Sequence, residues 1–190
     1  MRNTCFLLTL ALFLAASAAA GEPEFGLDSN TAFYEGEEFH YVLTPPNGYR
    51  LVIHKAKSDG YSFAFVPQDD LYDSAAVMVG VHLYKIRGMS FEEALLADTG
   101  SIREYYGEDL LIRPVSSVTN ATDQELVTFY LDKKDEFIPN VMLSYFDGGP
   151  ELVILELVIK EGAVRVRAEE IFMGAVGRFK ALHRGTLGSR

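Results

Sequence analysis

The chain has 190 residues, of which 17 are Lys or Arg and 27 are Asp or Glu, so its formal net charge is −10. This acidic balance argues against a nucleic-acid partner, because binding to phosphates needs clustered Lys and Arg. The single Cys excludes an intrachain disulfide framework and a multi-cysteine zinc site. Hydrophobic residues make up 48% of the chain, which is enough to form the core of one domain.

Residues 1–20 have the pattern of a secretory signal peptide. A positive charge at the second residue precedes an apolar segment over residues 5–16, and Ala18 and Ala20 form a small-residue cleavage site. The alternative is an N-terminal membrane anchor, but the apolar segment is shorter than the ~20 residues that a span needs. We therefore predict cleavage after Ala20, a periplasmic or secreted location, and a mature chain with no Cys and no membrane span.

After the signal peptide, the sequence predicts a loose leader over residues 21–37 and then a series of short strands. Strands are predicted over residues 39–44, 49–56, 61–65 and 75–86. Between the first two strands, Asn47 and Gly48 supply the positive φ angles that a tight turn requires.

A helix interrupts these strands. Ser90 and Glu93 have the spacing of a capping box, in which each side chain bonds the backbone N–H of the other residue. The apolar spacing that follows predicts a helix from Phe91 towards Gly107, and Gly100 suggests a break in its middle.

The second half of the chain returns to strands and ends in a predicted helix over residues 164–183. Strands are predicted over residues 110–115, 125–131, 141–146 and 151–160. The last of these is apolar on both faces except at Glu156, which is typical of a central strand covered on both sides. Residues 185–190 are interpreted as a flexible tail.

Short turns between consecutive strands favour antiparallel pairing. The predicted fold class is therefore α+β: a mostly antiparallel sheet packed with two amphipathic helices, as an α/β sandwich. A single domain is expected over residues 38–184.

Three segments of this predicted domain resemble a known family. They are YSFAFVP at residues 61–67, AVMVGV at 76–81 and SFEE at 90–93. Together with the order of the late strands and the terminal helix, they resemble the PsbP-type α/β sandwich, over about residues 49–183. This resemblance implies the fold and a tendency towards accessory, non-enzymatic roles. It transfers no functional residue.

Two polar residues interrupt apolar strand patterns and are the candidates for a catalytic site. His82 lies between Val81 and Leu83, and Glu156 lies in the predicted central strand. A buried carboxylate must be paired or hydrogen-bonded, so the two could frame a polar pocket if they met across the sheet. The structural alternative, which the sequence favours, pairs Glu156 with Arg165 or Arg167 and makes His82 a satisfied or edge histidine.

Other chemical signatures are weaker. Ser90 lies in half of a G-x-S-x-G pattern, but its role as a helix cap explains the same residues. The His residues at positions 40, 54, 82 and 183 lack metal-ligand spacing, and the acidic loop of Asp69, Asp70 and Asp73 lacks the pattern of a calcium site. No phosphate-binding glycine motif occurs. We therefore predict no metal and no cofactor.

The sequence favours an exported, non-catalytic accessory or binding protein, whose partner is an envelope protein or a small apolar ligand. A hydrolase with an unrecognised acid–base site is the alternative, using His82 with Glu156 or His54 with an acidic residue of the 69–73 loop. A structural protein of the cell envelope is a third interpretation. Asn120 begins an N-x-T sequon, but a polar turn between strands is the favoured interpretation of these residues.

Overall fold

The structure, a computed structural model, describes residues 31–134 and 136–186. The predicted signal peptide, residues 21–30 of the predicted leader and residues 187–190 of the predicted tail lie outside the described residues. The strands are β1 (Ala32–Glu35), β2 (Phe39–Leu43), β3 (Tyr49–Val52), β4 (Phe63–Pro67), β5 (Val77–Lys85), β6 (Leu110–Thr119), β7 (Glu125–Lys133), β8 (Asn140–Asp147), β9 (Glu151–Ile159) and β10 (Lys180–His183). The α-helices are α1 (His54–Ser58), α2 (Phe91–Tyr106) and α3 (Arg165–Val176).

The strands form two antiparallel sheets. The larger sheet has seven strands in the order β3-β4-β5-β9-β8-β7-β6, and the smaller has the order β1-β2-β10. Within the larger sheet, β9 pairs with β5 along its full length and with β8 on its other side. Mostly antiparallel strands with packed helices confirm the predicted α+β fold class.

The strand β9 is buried along its whole length, as the sequence predicts for a central strand. Its odd-numbered residues from Val153 to Ile159 share a hydrophobic core with α3 and the three-stranded sheet. The even-numbered Leu152 and Ile154 pack on the opposite face in a cluster that includes Ala94 of α2. The large sheet therefore forms the middle of three layers.

The helix α2 begins where the capping box predicts. Glu93 donates its N–H to Ser90 Oγ at 3.2 Å, and Ser90 donates its N–H to Glu93 Oε2 at 2.8 Å. Gly100 does not break the helix, which continues to Tyr106. One exposed glycine lowers the stability of a helix by only about 1 kcal/mol, so the helix can continue through it.

The predicted C-terminal helix is wrong in its second half. The helix α3 ends at Val176, and the strand β10 follows and pairs with β2. Phe179 and Ala181 are buried while Lys180 between them is exposed, so this segment has the period of two that a strand requires. Pairing with β2 therefore prevails over the helical spacing of its apolar residues.

Two differences occur nearer the N terminus. The strand β1 lies within the segment predicted as a leader, where the alternate residues Ala32 and Tyr34 are buried. The predicted strand over residues 49–56 ends early at Val52, and α1 follows it with Ala56 completely buried. The strand β1 pairs with the adjacent β2, and Ala56 packs in a cluster with residues of β4 and β5. In both places packing against neighbouring strands decides the local structure.

A buried carboxylate joins the two sheets. Glu151 at the start of β9 is 1% exposed; it accepts hydrogen bonds from Glu37 N–H at 2.7 Å and Tyr41 Oη–H at 3.0 Å. A Cβ atom at Gly36 would overlap both the Glu151 carboxylate and the Tyr41 ring, so this close approach requires glycine. Burial and the charge of Glu151 raise the pKa of Tyr41, which keeps its hydroxyl a donor.

We expect Glu151→Ala to lower the free energy of unfolding by about 3 kcal/mol, because it leaves a buried hydroxyl and a backbone N–H without their acceptor. The matched control is Glu37→Ala, which removes an exposed side chain but keeps the backbone donor. Urea unfolding of both variants measures the difference. An equal loss of stability in the two variants would contradict a structural role for the buried carboxylate.

Candidate functional site

His82 and Glu156 lie on the face of the large sheet that α2 covers. In the register of β5 with β9, His82 is opposite Ile154 and Glu156 is opposite Gly80. The two polar side chains are therefore diagonal neighbours, and His82 Nε2 lies 3.3 Å from Glu156 Oε2. The structure thus brings the two sequence candidates together.

Hydrogen bonds engage the remaining polar atoms of this pair. Tyr84, two residues along β5 on the same face, has its hydroxyl 2.8 Å from His82 Nδ1. Asn140 donates from Nδ2 to Glu156 Oε1, and Tyr106 at the end of α2 donates its hydroxyl to Asn140 Oδ1. The network therefore runs from the central strand to the last residue of α2.

The Tyr61 side chain packs against the His82–Glu156 pair. Its ring lies 4.5 Å from the His82 ring, centroid to centroid, and a Cβ atom at Gly80 would overlap it. Burial, together with the charge and hydrogen bond of Glu156, raises the pKa of Tyr61. The absent side chain at Gly80 thus creates the space that Tyr61 occupies above the sheet.

A second buried carboxylate lies close to this network. Asp98 of α2 is 5% exposed and accepts a hydrogen bond from Tyr145 of β8 at 2.6 Å. Burial raises the pKa of Asp98, although the Tyr145 hydrogen bond and the nearby His82 act in the opposite direction. Sequence reasoning missed Asp98; its position four residues after buried Ala94 places it on the inner face of the helix.

We call the side chains of this region the polar network. Its members are Tyr61, His82, Tyr84, Asp98, Tyr106, Asn140, Tyr145 and Glu156. His82 is 4% exposed and Glu156 is 7% exposed, so the sheet and α2 enclose the imidazole–carboxylate pair. Such a pair can hold or transfer a proton, but its atoms are engaged by neighbouring side chains.

The pairing of Glu156 with a helix arginine, which the sequence favoured, is wrong. Arg165 belongs to α3, which packs on the opposite face of the large sheet. Its guanidinium donates to the Leu131 carbonyl at 2.9 Å and lies 4.4 Å from the centre of the Tyr130 ring. Strand alternation explains the error, because Glu156 and the α3-facing residues of β9 have opposite parity.

The other sequence candidates lie elsewhere. Asp73 of the acidic loop is 3.5 Å from Lys55. Across residues 31–134 and 136–186, no group of three His, Cys, Asp or Glu side chains is arranged to hold a metal ion. Asn120 is buried, and its amide oxygen accepts hydrogen bonds from both backbone and hydroxyl of Thr122 and from Gln124 N–H. The N-x-T sequence thus forms a polar turn between β6 and β7.

Comparison with known proteins yields a single type of match. No protein-family model matches the chain, and no curated protein matches its sequence. Among solved structures, it is similar to the solution structure of cyanobacterial PsbP (CyanoP) from Synechocystis sp. PCC 6803. The TM-score is 0.47 with 12% sequence identity, over 87% of this chain and 98% of that chain. PsbP is also the name of the family that the motifs at residues 61–67, 76–81 and 90–93 resemble.

We expect Gly80→Ala to destabilise the fold by about 1–3 kcal/mol, because the added methyl group displaces the Tyr61 ring from the polar network. The control is Gly100→Ala in α2, where an added Cβ meets no atom within 4 Å. This control should stabilise the protein by about 1 kcal/mol through helix propensity. Chemical unfolding measures both changes, and a neutral result at Gly80 would refute the close packing of Tyr61.

We also expect the free energy of unfolding of Asp98→Asn to increase relative to that of the wild type as the pH rises. Because burial raises the pKa of Asp98 in the fold, the folded protein retains a proton that the unfolded chain has already lost. Wild-type stability therefore falls as pH rises from the ordinary carboxyl range to the raised pKa, and the asparagine variant lacks this loss.

Unfolding free energies of the two proteins across this pH range test the prediction. Glu104→Gln is the control, because it removes the same charge from an exposed position of the same helix. Its free energy of unfolding should change with pH in parallel with that of the wild type. A relative advantage of Asp98→Asn that shrinks with rising pH would show that the fold prefers the ionised carboxylate.

Proposed function

We propose that this chain is an exported, non-catalytic accessory protein, periplasmic or secreted, that acts by binding a protein of the cell envelope. The observation that carries the proposal is the enclosed state of the His82–Glu156 pair. The imidazole and carboxylate atoms are hydrogen-bonded within the fold, and both residues are more than nine-tenths buried. A general base needs reach to a substrate proton, which this enclosure opposes.

The sequence of residues 1–20 supports export, since it has the charge, apolar segment and small-residue site of a signal peptide. Within the described part of the chain, no helix combines the length and apolarity that a membrane crossing demands. A protein partner suits the proposal better than a nucleic acid, because the chain carries 27 acidic residues against 17 basic ones. A small apolar ligand is the alternative partner.

A hydrolase is the second candidate function, and the 3.3 Å contact between His82 and Glu156 favours it. A carboxylate beside an imidazole can orient the ring and stabilise its protonated form. For this function, opening of α2 would have to expose the pair, because α2 carries Tyr106 and Asp98 of the polar network.

The experiment expresses the full chain with a C-terminal tag in a Gram-negative host. Fractionation and intact-mass measurement should find the protein outside the cytoplasm, beginning at Gly21. Chemical cross-linking on intact cells should then yield a stoichiometric envelope partner. A protein that stays in the cytoplasm with Met1 present would contradict export, and a free monomer in every fraction would contradict the accessory role.

A screen with ester, phosphoester, glycoside and peptide substrates separates the two functions. His82→Ala and Glu156→Gln should lower stability while partner binding persists below their melting temperatures. Turnover by the wild type that disappears in a His82→Ala variant with native circular dichroism would establish the hydrolase instead. Gly100→Ala serves as the control variant because its substitution lies outside the polar network.

A further inference from the structure

The asparagines among the described residues differ in their exposure and in their hydrogen bonds. Asn120 is 4% exposed, and its side chain bonds Thr122 and Gln124. Asn140 is tied between Tyr106 and Glu156 in the polar network. Asn47 is instead exposed, in the turn between β2 and β3, and it precedes a glycine.

The geometry around Asn47 leaves room for an intramolecular reaction. Gly48 has φ +77°, and an added Cβ there would meet nothing within 4 Å. The turn is closed by the Tyr49 N–H, which donates to the Pro46 carbonyl at 3.1 Å, while the Gly48 carbonyl accepts from Gln68 N–H at 2.8 Å. Neither bond uses the Gly48 nitrogen, which directly follows Asn47 in the chain.

We infer that Asn47 is a site of spontaneous covalent modification, at which the amide side chain is converted to a carboxylate with water as the co-reactant. The Gly48 nitrogen loses its proton and attacks Asn47 Cγ, a C–N bond forms, and the side-chain nitrogen leaves as ammonia. Water then opens the five-membered imide at either carbonyl and gives aspartate or isoaspartate. No oxidant, reductant or enzyme is required for this balance.

The side chain of Arg178 supports the assignment of Asn47 as the modification site. Its Nη2 donates to Asn47 Oδ1 at 3.1 Å, so a positive charge faces the oxygen that becomes negative as the nitrogen attacks. After hydrolysis to aspartate, the same guanidinium faces a carboxylate in place of an amide. The modification therefore adds one negative charge where the fold already places a cation.

The test incubates the purified full chain at mildly alkaline pH and follows it by anion exchange and peptide-mapping mass spectrometry. We expect first-order loss of the original Asn47 peptide, with the Asn120 and Asn140 peptides unchanged over the same interval. The aspartate fraction should elute with the separately made variant Asn47→Asp. The isoaspartate fraction should be a substrate for an isoaspartyl methyltransferase used as a probe.

Asn47→Gln is the matched control, because it keeps an amide but would need a less favourable six-membered ring. It should accumulate none of the acidic species that arise at residue 47. The inference is overturned if the Asn47 peptide persists unchanged, if Asn120 or Asn140 converts first, or if Asn47→Gln develops the same acidic species. Circular dichroism of each sample verifies that conversion occurs in the folded protein.

Discussion

The rest of the structure depends on how β9 accommodates two carboxylates. This strand is buried from end to end, yet it carries Glu151 and Glu156. An ionised carboxylate in an apolar core is costly unless donors surround it. Glu151 meets the Glu37 amide and the Tyr41 hydroxyl, and Glu156 meets Asn140 and His82. The parts of the chain that supply these donors must therefore pack next to the two carboxylates.

The two carboxylates have opposite parity on the strand, so each acts on a different face. Glu151 points to the face that the three-stranded sheet covers, and its bonds fix the turn between β1 and β2. Glu156 points to the face that α2 covers, and Asn140 connects it to Tyr106. Both outer layers are thus attached to the same strand through polar contacts, in addition to the apolar packing of each face.

Short sequence patterns predict much of the fold, but they do not predict the parts that depend on long-range contacts. The capping box at Ser90 and the apolar run around Glu156 predict α2 and the central strand because both patterns are contained in short segments. The strand β10 was not predicted, since pairing with β2 is a long-range contact that sequence spacing cannot reveal. Likewise, the break in apolar pattern identified His82 and Glu156, but Tyr61 and Asn140 reach them only through the folded register.

The polar network also bears on the choice between catalysis and binding. A catalytic base must exchange a hydrogen bond of the resting fold for one to its substrate. In the enclosed pair of His82 and Glu156, such an exchange would leave a buried partner unsatisfied, at a cost of about 1–3 kcal/mol. Linked hydrogen bonds reinforce one another in a low dielectric, which favours a rigid interior. This cost opposes the use of the enclosed His82–Glu156 pair as a general base while the fold stays closed.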